Sequence, residues 1–296
     1  MRLAQLSPSG IGAVVGDDAI VDVTAALTKD GLLPVGGTLV DVMERYDTLA
    51  EPLRRAAEGS QSTSLSFVRL AAPVPRPPKL WCAAGNYQRE SSGMGEARGR
   101  GGASDMSLNE LLEAVFLKPS TAVIGPGENV VIPEGFGSLF PEIELCVVIG
   151  KRCRNLSREE AMSAVFGYTV VLDMTARGPM WGKLMQGSRC IRKGFDTFAP
   201  LGPWIVTRDE IPDPQALTMR LLVNGDERQY ARTEAMLNGV PELVSYLSKV
   251  CTLEPGDLIA TGNPDHPDFQ VELHPGDQMH AEIEGIGALE VGVAAA

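Results

Sequence analysis

The chain has 296 residues, 44% apolar and 22% charged, the balance of a globular fold with one large domain or a large and a small one. Its formal net charge of -12 argues against a nucleic-acid partner, which needs a basic stripe, and against an anionic membrane surface. No signal core or bilayer-length run is present and the five cysteines lack Cys-x-x-Cys spacing, so reduced thiols in a cytoplasmic protein are expected.

In chain order, Gly12–Val15 and Ala19–Val23 read as strands around a Gly16-Asp17-Asp18 turn. Leu39–Tyr46 and Ala50–Ala57 carry apolar residues at helical spacing. Ala72–Lys79 holds four prolines and reads as a stiff linker. It divides a small N-terminal α+β domain, residues 1–72, from a larger domain, residues 78–296. Leu80–Ala84 is a buried strand ending at Gly85-Asn86-Tyr87.

Ser91–Asp105 has five glycines and almost no large apolar side chain, so it reads as a mobile loop. Its Arg98 and Arg100 suit an anionic ligand over which the loop closes. Ser107 with Glu110 and Ser157 with Glu160 are capping-box patterns that start helices. Further helices are expected after Asp173 and over Val240–Val250. The remaining pattern after Gly127 is dominated by strands.

Three carboxylates stand inside apolar, β-rich runs: Glu142 and Glu144 in Pro141-Glu-Ile-Glu-Leu145, and Asp173 after Tyr168–Leu172. Glu142 and Glu144 are two apart, so on a strand they leave the same face. Taken alone, Glu-x-Glu is more often a solvated strand face, and Asp173 equally suits a helix cap. Buried together, the three would repel one another unless a cation sat between them. All-oxygen ligation suits Mg²⁺, Mn²⁺ or Ca²⁺.

The strings Gly85-Asn86-Tyr87, Phe116-Leu-Lys-Pro-Ser120, Ile124-Gly-Pro-Gly127, Glu142-x-Glu144, Gly167-Tyr-Thr169, Asp173, Lys193 to Pro203 and Thr261-Gly262 occur in this order. Together they resemble the fumarylacetoacetate hydrolase family, from about Pro78 to the C-terminus. The resemblance implies a mixed β-sandwich or β-roll catalytic domain, making the whole chain β-dominated α+β. It also implies a homodimer and a divalent metal on Glu142, Glu144 and Asp173. Lys193, Thr261 and Gly262 match the family's substrate-contacting positions. Tyr87 and Arg177 join them as substrate-binding candidates, Arg177 being equally suited to a salt bridge with the carboxylates.

Hydrolytic members of the family place a His–Glu pair after the Asn-Tyr string. Here those positions hold Glu90 and Gly93, and the three histidines lie near the C-terminus. Glu90 and His266 are therefore the candidate bases, with water on the metal as the other source. A carboxylate base suits removal of an acidified α-proton better than making hydroxide from free water. The expected activity is a metal-stabilised enolate of a small anionic 2-oxo acid or 1,3-diketone acid, with C–C hydrolysis leading, as in aromatic-compound breakdown. The alternatives are a hydratase, dehydratase or other lyase, an isomerase, a decarboxylase, or a catalytically inactive binding subunit.

Overall fold

The computed structural model describes residues 1–87, 115–135, 138–177, 188–264 and 271–296. The expected loop 91–105, the Ser107–Glu110 capping box, Glu90 and His266 lie outside those residues. Two large sheets dominate. The first has twelve strands and holds, in spatial order, Arg2–Leu6, Ala199–Thr207, Val165–Leu172, Ile143–Ile149, Leu258–Ala260, Leu80–Ala83 and Val115–Lys118 at its centre and far edge. The second has five strands and includes Thr218–Val223, Asp226–Arg232 and Gln278–Ile283. Among the described residues no helix is long and apolar enough to cross a membrane.

Alternation along Ile143–Ile149 explains the layering. Leu145, Val147 and Ile149 point into a core shared with Met219, Leu221, Met279 and Ala281 of the five-stranded sheet. Cys146 and Val148 point the other way, into a core with Leu39, Val42, Leu49 and Leu53 of the N-terminal helices. The central sheet is therefore buried on both faces, which is why its strands read as continuous apolar runs.

The N-terminal residues are hydrogen-bonded into this sheet, Arg2 opposite Val206 and Leu3 opposite Ile205. The proline-rich stretch thus joins two parts that share a sheet and a core. The Ser157–Glu160 capping box forms as expected, with reciprocal bonds of 2.9 and 3.3 Å. The helix expected after Asp173 falls in part on residues 178–187, which lie outside the described residues. Thr175–Arg177 is a strand paired with Ser138–Phe140, and a one-turn helix comes at Arg189–Arg192. Ladder partners for that backbone outweigh local helical preference. All five cysteines are free.

Gly167 lies where Val165–Leu172 crosses Ala199–Thr207, and a Cβ there would stand 2.1 Å from the Val206 carbonyl oxygen. Gly167→Ala should destabilise the fold by about 2–3 kcal/mol in urea unfolding, because backbone rather than a flexible side chain must move. A loss under about 0.5 kcal/mol would show that the strands separate freely there.

Candidate metal centre

Strand parity brings the three carboxylates together. Glu144 pairs with Val171, and Asp173 lies two residues beyond Val171, so it leaves on the same face as Glu142 and Glu144. That face belongs to the N-terminal core rather than to the interior between the two sheets, since Cys146, Val148 and Val171 all pack there. One oxygen from each carboxylate lies within 4.8 Å of the others. Glu144 and Asp173 are buried and Glu142 is half-buried. The Asp173 N–H donates to the Glu142 carbonyl at 2.8 Å, which fixes the two chain segments relative to each other.

Two lysines answer this negative charge. Lys193 Nζ lies 2.6 Å from Glu142 Oε2 and 2.5 Å from Asp173 Oδ2. Lys118 Nζ lies 2.8 Å from Asp173 Oδ1 and donates to the carbonyls of Met174, Phe198 and Lys193. Both ammonium groups are buried. Burial opposes the charge on Lys193, yet Asp173 and Glu142 outweigh it and hold its pKa above the ordinary lysine value. Burial likewise opposes the Asp173 charge, and the two ammonium groups outweigh it and hold that carboxyl low.

Glu144 has weaker support. Burial, then the Asp173 charge, pushes its carboxyl well above the usual range, against Lys193 and the N–H of Gly262. That N–H donates to Glu144 Oε2 at 2.6 Å. Gly262 stands at φ +96°, and a Cβ there would meet the Ala83 carbonyl oxygen at 2.6 Å, so the contact requires glycine.

The donor set fits a small divalent cation. Ligand oxygens about an octahedral ion at ~2.1 Å stand about 3 Å apart when cis and about 4.2 Å apart when trans, so small rotations bring these three onto one ion. A cation would also supply the charge that Glu144 lacks.

The backbone around the carboxylates is clamped from the other sheet. Gln229 is 1% exposed on a strand whose neighbours face solvent. Its Oε1 accepts the Ile143 N–H at 3.0 Å and its Nε2 donates to the Pro141 carbonyl at 2.7 Å. Asn263 Nδ2 adds a bond to the Ile143 carbonyl at 2.6 Å. Glu142 is thus held by its peptide neighbours on both sides.

Asn86 is buried and structural, donating to the Asn238 and Thr261 carbonyls at 2.9 Å each. Tyr87 and Thr261 are buried beside one another, and among the described residues neither hydroxyl makes a hydrogen bond of normal geometry. The Arg177 guanidinium lies over the Phe140 ring, 4.7 Å from its centroid. Sequence reasoning passed over Lys118 and Gln229. Lys118 had a faint signal, since it shares strand parity with the apolar, buried Phe116. Gln229 had none, because its partners come from a distant segment of the chain.

The Fumarylacetoacetate (FAA) hydrolase C-terminal model matches residues 79–294. Over its whole length the chain is 35% identical to the maleylpyruvate hydrolase of Aquipseudomonas alcaligenes, covering 99% of each protein. The crystal structure of maleylpyruvate hydrolase from Sphingobium sp. SYK-6 in complex with manganese(II) ion and pyruvate gives a TM-score of 0.81 at 35% identity, covering 100% of this chain and 99% of that one. A 5-carboxymethyl-2-hydroxymuconate delta-isomerase from Mycobacterium smegmatis gives 0.73 at 30% identity, covering 100% and 99%. Fold and site therefore define a metal-dependent enzyme of the hydrolase and isomerase class. The chain belongs to the fumarylacetoacetate hydrolase family.

Two outcomes follow from the geometry. Glu144→Ala should lower Mn²⁺ affinity by at least about 100-fold in calorimetry. In the wild type that affinity should rise with pH as the elevated Glu144 carboxyl loses its proton, with proton release measurable by changing the buffer. A pH-independent wild-type affinity would contradict the assignment of Glu144 as a ligand. Gln229→Leu should weaken Mn²⁺ binding by about 10-fold, because the Glu142 peptide loses its brace. An unchanged affinity in a folded variant would leave Gln229 a packing residue only.

Proposed function

We propose that this enzyme holds Mg²⁺ or Mn²⁺ on Glu142, Glu144 and Asp173 and hydrolyses a C–C bond of a small anionic 2-oxo acid or 1,3-dicarbonyl acid. The observation that carries this reading is the full-length match to maleylpyruvate hydrolases, one holding manganese and pyruvate, joined to three carboxylate oxygens within 4.8 Å. Bound there, the cation supplies Lewis acidity that makes the substrate α-carbon acidic and favours its enolate. The intact carboxylate cluster with its two buried lysines speaks against an inactive binding subunit.

The chain's own groups divide the remaining work. Lys193, kept protonated by Asp173 and Glu142, offers an ammonium to an anionic substrate oxygen. Lys118 anchors Asp173 through three backbone carbonyls and so prevents the carboxylate from turning away. The buried hydroxyls of Thr261 and Tyr87 lie together beside Gly262 and are the candidate neutral contacts to the substrate. For hydrolysis a base takes a proton from water as it adds to the acyl carbonyl. The C–C bond then breaks to leave a carboxylic acid and the enolate, and the enolate carbon is protonated. Glu90 and His266 are the candidate bases, and in an isomerase reading Glu90 would take the α-proton instead. The family resemblance extends it to a homodimer, and five free thiols agree with a cytoplasmic setting.

A second reading is isomerisation, or another lyase or decarboxylase step, through the same enolate. The M. smegmatis isomerase and the substitution of Glu90 and Gly93 for a His–Glu pair favour it. One experiment separates the two. The Mn²⁺-loaded enzyme, offered acylpyruvates, oxaloacetate and simple 2-oxo acids, should release pyruvate from an acylpyruvate, and EDTA should stop it. Deuterium entering the α-carbon without a new carbon fragment would transfer the assignment to the isomerase. Glu90→Gln should slow that exchange by about 100-fold or more with Mn²⁺ affinity intact, whereas wild-type exchange would remove Glu90 from the mechanism.

A further inference from the structure

A strained turn follows Lys193. Three non-glycine residues among those described take a positive φ: Asn155, Asn224 and Thr197, the last at +71°. Asparagine tolerates that region, whereas a β-branched side chain is an outlier there. The Phe198 N–H donates to the Phe195 carbonyl at 3.2 Å, so Thr197 is the third residue of a four-residue turn. A positive φ at that position is ordinarily supplied by glycine or asparagine.

The side chain gives a reason for threonine. Thr197 Oγ1 accepts the Val131 N–H at 2.9 Å. Val131 belongs to Asn129–Ile132, an edge strand of the five-stranded sheet. Glycine would adopt the turn freely but leave that N–H without its acceptor. Backbone strain of this kind persists only where the surroundings over-determine it, and such places cluster at sites that need a fixed geometry.

Lys193 and Phe198, which flank the turn, meet one ammonium group. Their carbonyls both accept from Lys118 Nζ, that of Phe198 at 2.8 Å, and the Phe198 carbonyl also accepts the Met174 N–H at 3.2 Å. The two residues differ in what else holds them. Phe198 leads into Ala199–Thr207, which pairs with Val165–Leu172 and with Val123–Ile124. Lys193 instead closes the one-turn helix Arg189–Arg192, which has no ladder to fix it. A change in the turn therefore moves Lys193 rather than Phe198.

We propose that Thr197 is a positioning residue for Lys193. Its bond to Val131 fixes the turn, and the fixed turn holds the Lys193 ammonium where it meets Glu142 Oε2 and Asp173 Oδ2 together. A lysine side chain is long and rich in rotamers, so an ammonium serves a substrate well only when the backbone beneath it is pinned. The inference rests on the reading given above in which that ammonium contacts an anionic substrate oxygen, and extends it to a residue that acts through Lys193.

Calorimetry with pyruvate on the full chain at saturating Mn²⁺ tests this. Thr197→Gly removes the strain and the acceptor together and should bind pyruvate at least about 10-fold more weakly than the wild type. Thr197→Ser keeps the acceptor and should stay within about 3-fold of it. Thr197→Gly made in a Lys193→Met chain should cost nothing further, because its effect runs through an ammonium that is no longer there. Thr197→Val replaces the glycine variant, and Lys193→Gln the methionine one, if either does not fold. Wild-type affinity in Thr197→Gly, an equal loss in Thr197→Ser, or an undiminished loss in the Lys193→Met chain would overturn the inference. Failure of the Mn²⁺-loaded wild type to bind pyruvate, or wild-type affinity in Lys193→Met, would instead overturn the substrate reading on which it rests.

Discussion

Opposite charges buried on one face of a sheet are the constraint around which this protein is arranged. Burying three carboxylates within 4.8 Å of one another is strongly unfavourable unless positive charge enters with them. Lys118 and Lys193 enter from separate elements and meet at Asp173. The result differs from residue to residue. Asp173, between two ammonium groups, is held low, while Glu144, supported by Lys193 and the Gly262 N–H against burial and the Asp173 charge, is pushed high. That inequality leaves a charge deficit at Glu144, which a divalent cation bound there would relieve.

The surrounding structure keeps these groups from relaxing. A carboxylate on a loop would turn to solvent, but Glu144 lies within a strand paired on both sides, to Val165–Leu172 and to Leu258–Ala260. Glu142 lies one residue before that strand, where pairing ends, and there Gln229 and Asn263 take over the backbone bonds. Both come from segments far along the chain, so the rigidity of the centre is a property of the packed sheets together. Lys118 acts similarly on the other side, tying Asp173 to the backbone at Met174, Lys193 and Phe198.

Charge is distributed unevenly at two scales. The chain is acidic as a whole, which disfavours approach of anions from solution. At the carboxylates, Lys118 and Lys193 bring positive charge into direct contact with Asp173 and Glu142. An acidic chain can thus concentrate positive charge locally, without a basic surface that would attract nucleic acid.

Much was legible in the residues themselves. The apolar runs after Glu144 and before Asp173 and the two-residue spacing of Glu142 and Glu144 settle the strands and the face the two glutamates share, because strand periodicity is local. The capping box at Ser157 and the helix Val240–Val250 were equally readable, being written within one turn. The strand at Thr175–Arg177 was not, since its partner Ser138–Phe140 lies far back in the chain. Nor was the role of Lys118 or Gln229. A long polar side chain takes its meaning from what surrounds it, and those neighbours come together only when the sheets pack. The sequence by itself determined which carboxylates share a face; the tertiary structure alone decided which charges and amides hold them there, because those contacts join residues that no local pattern relates.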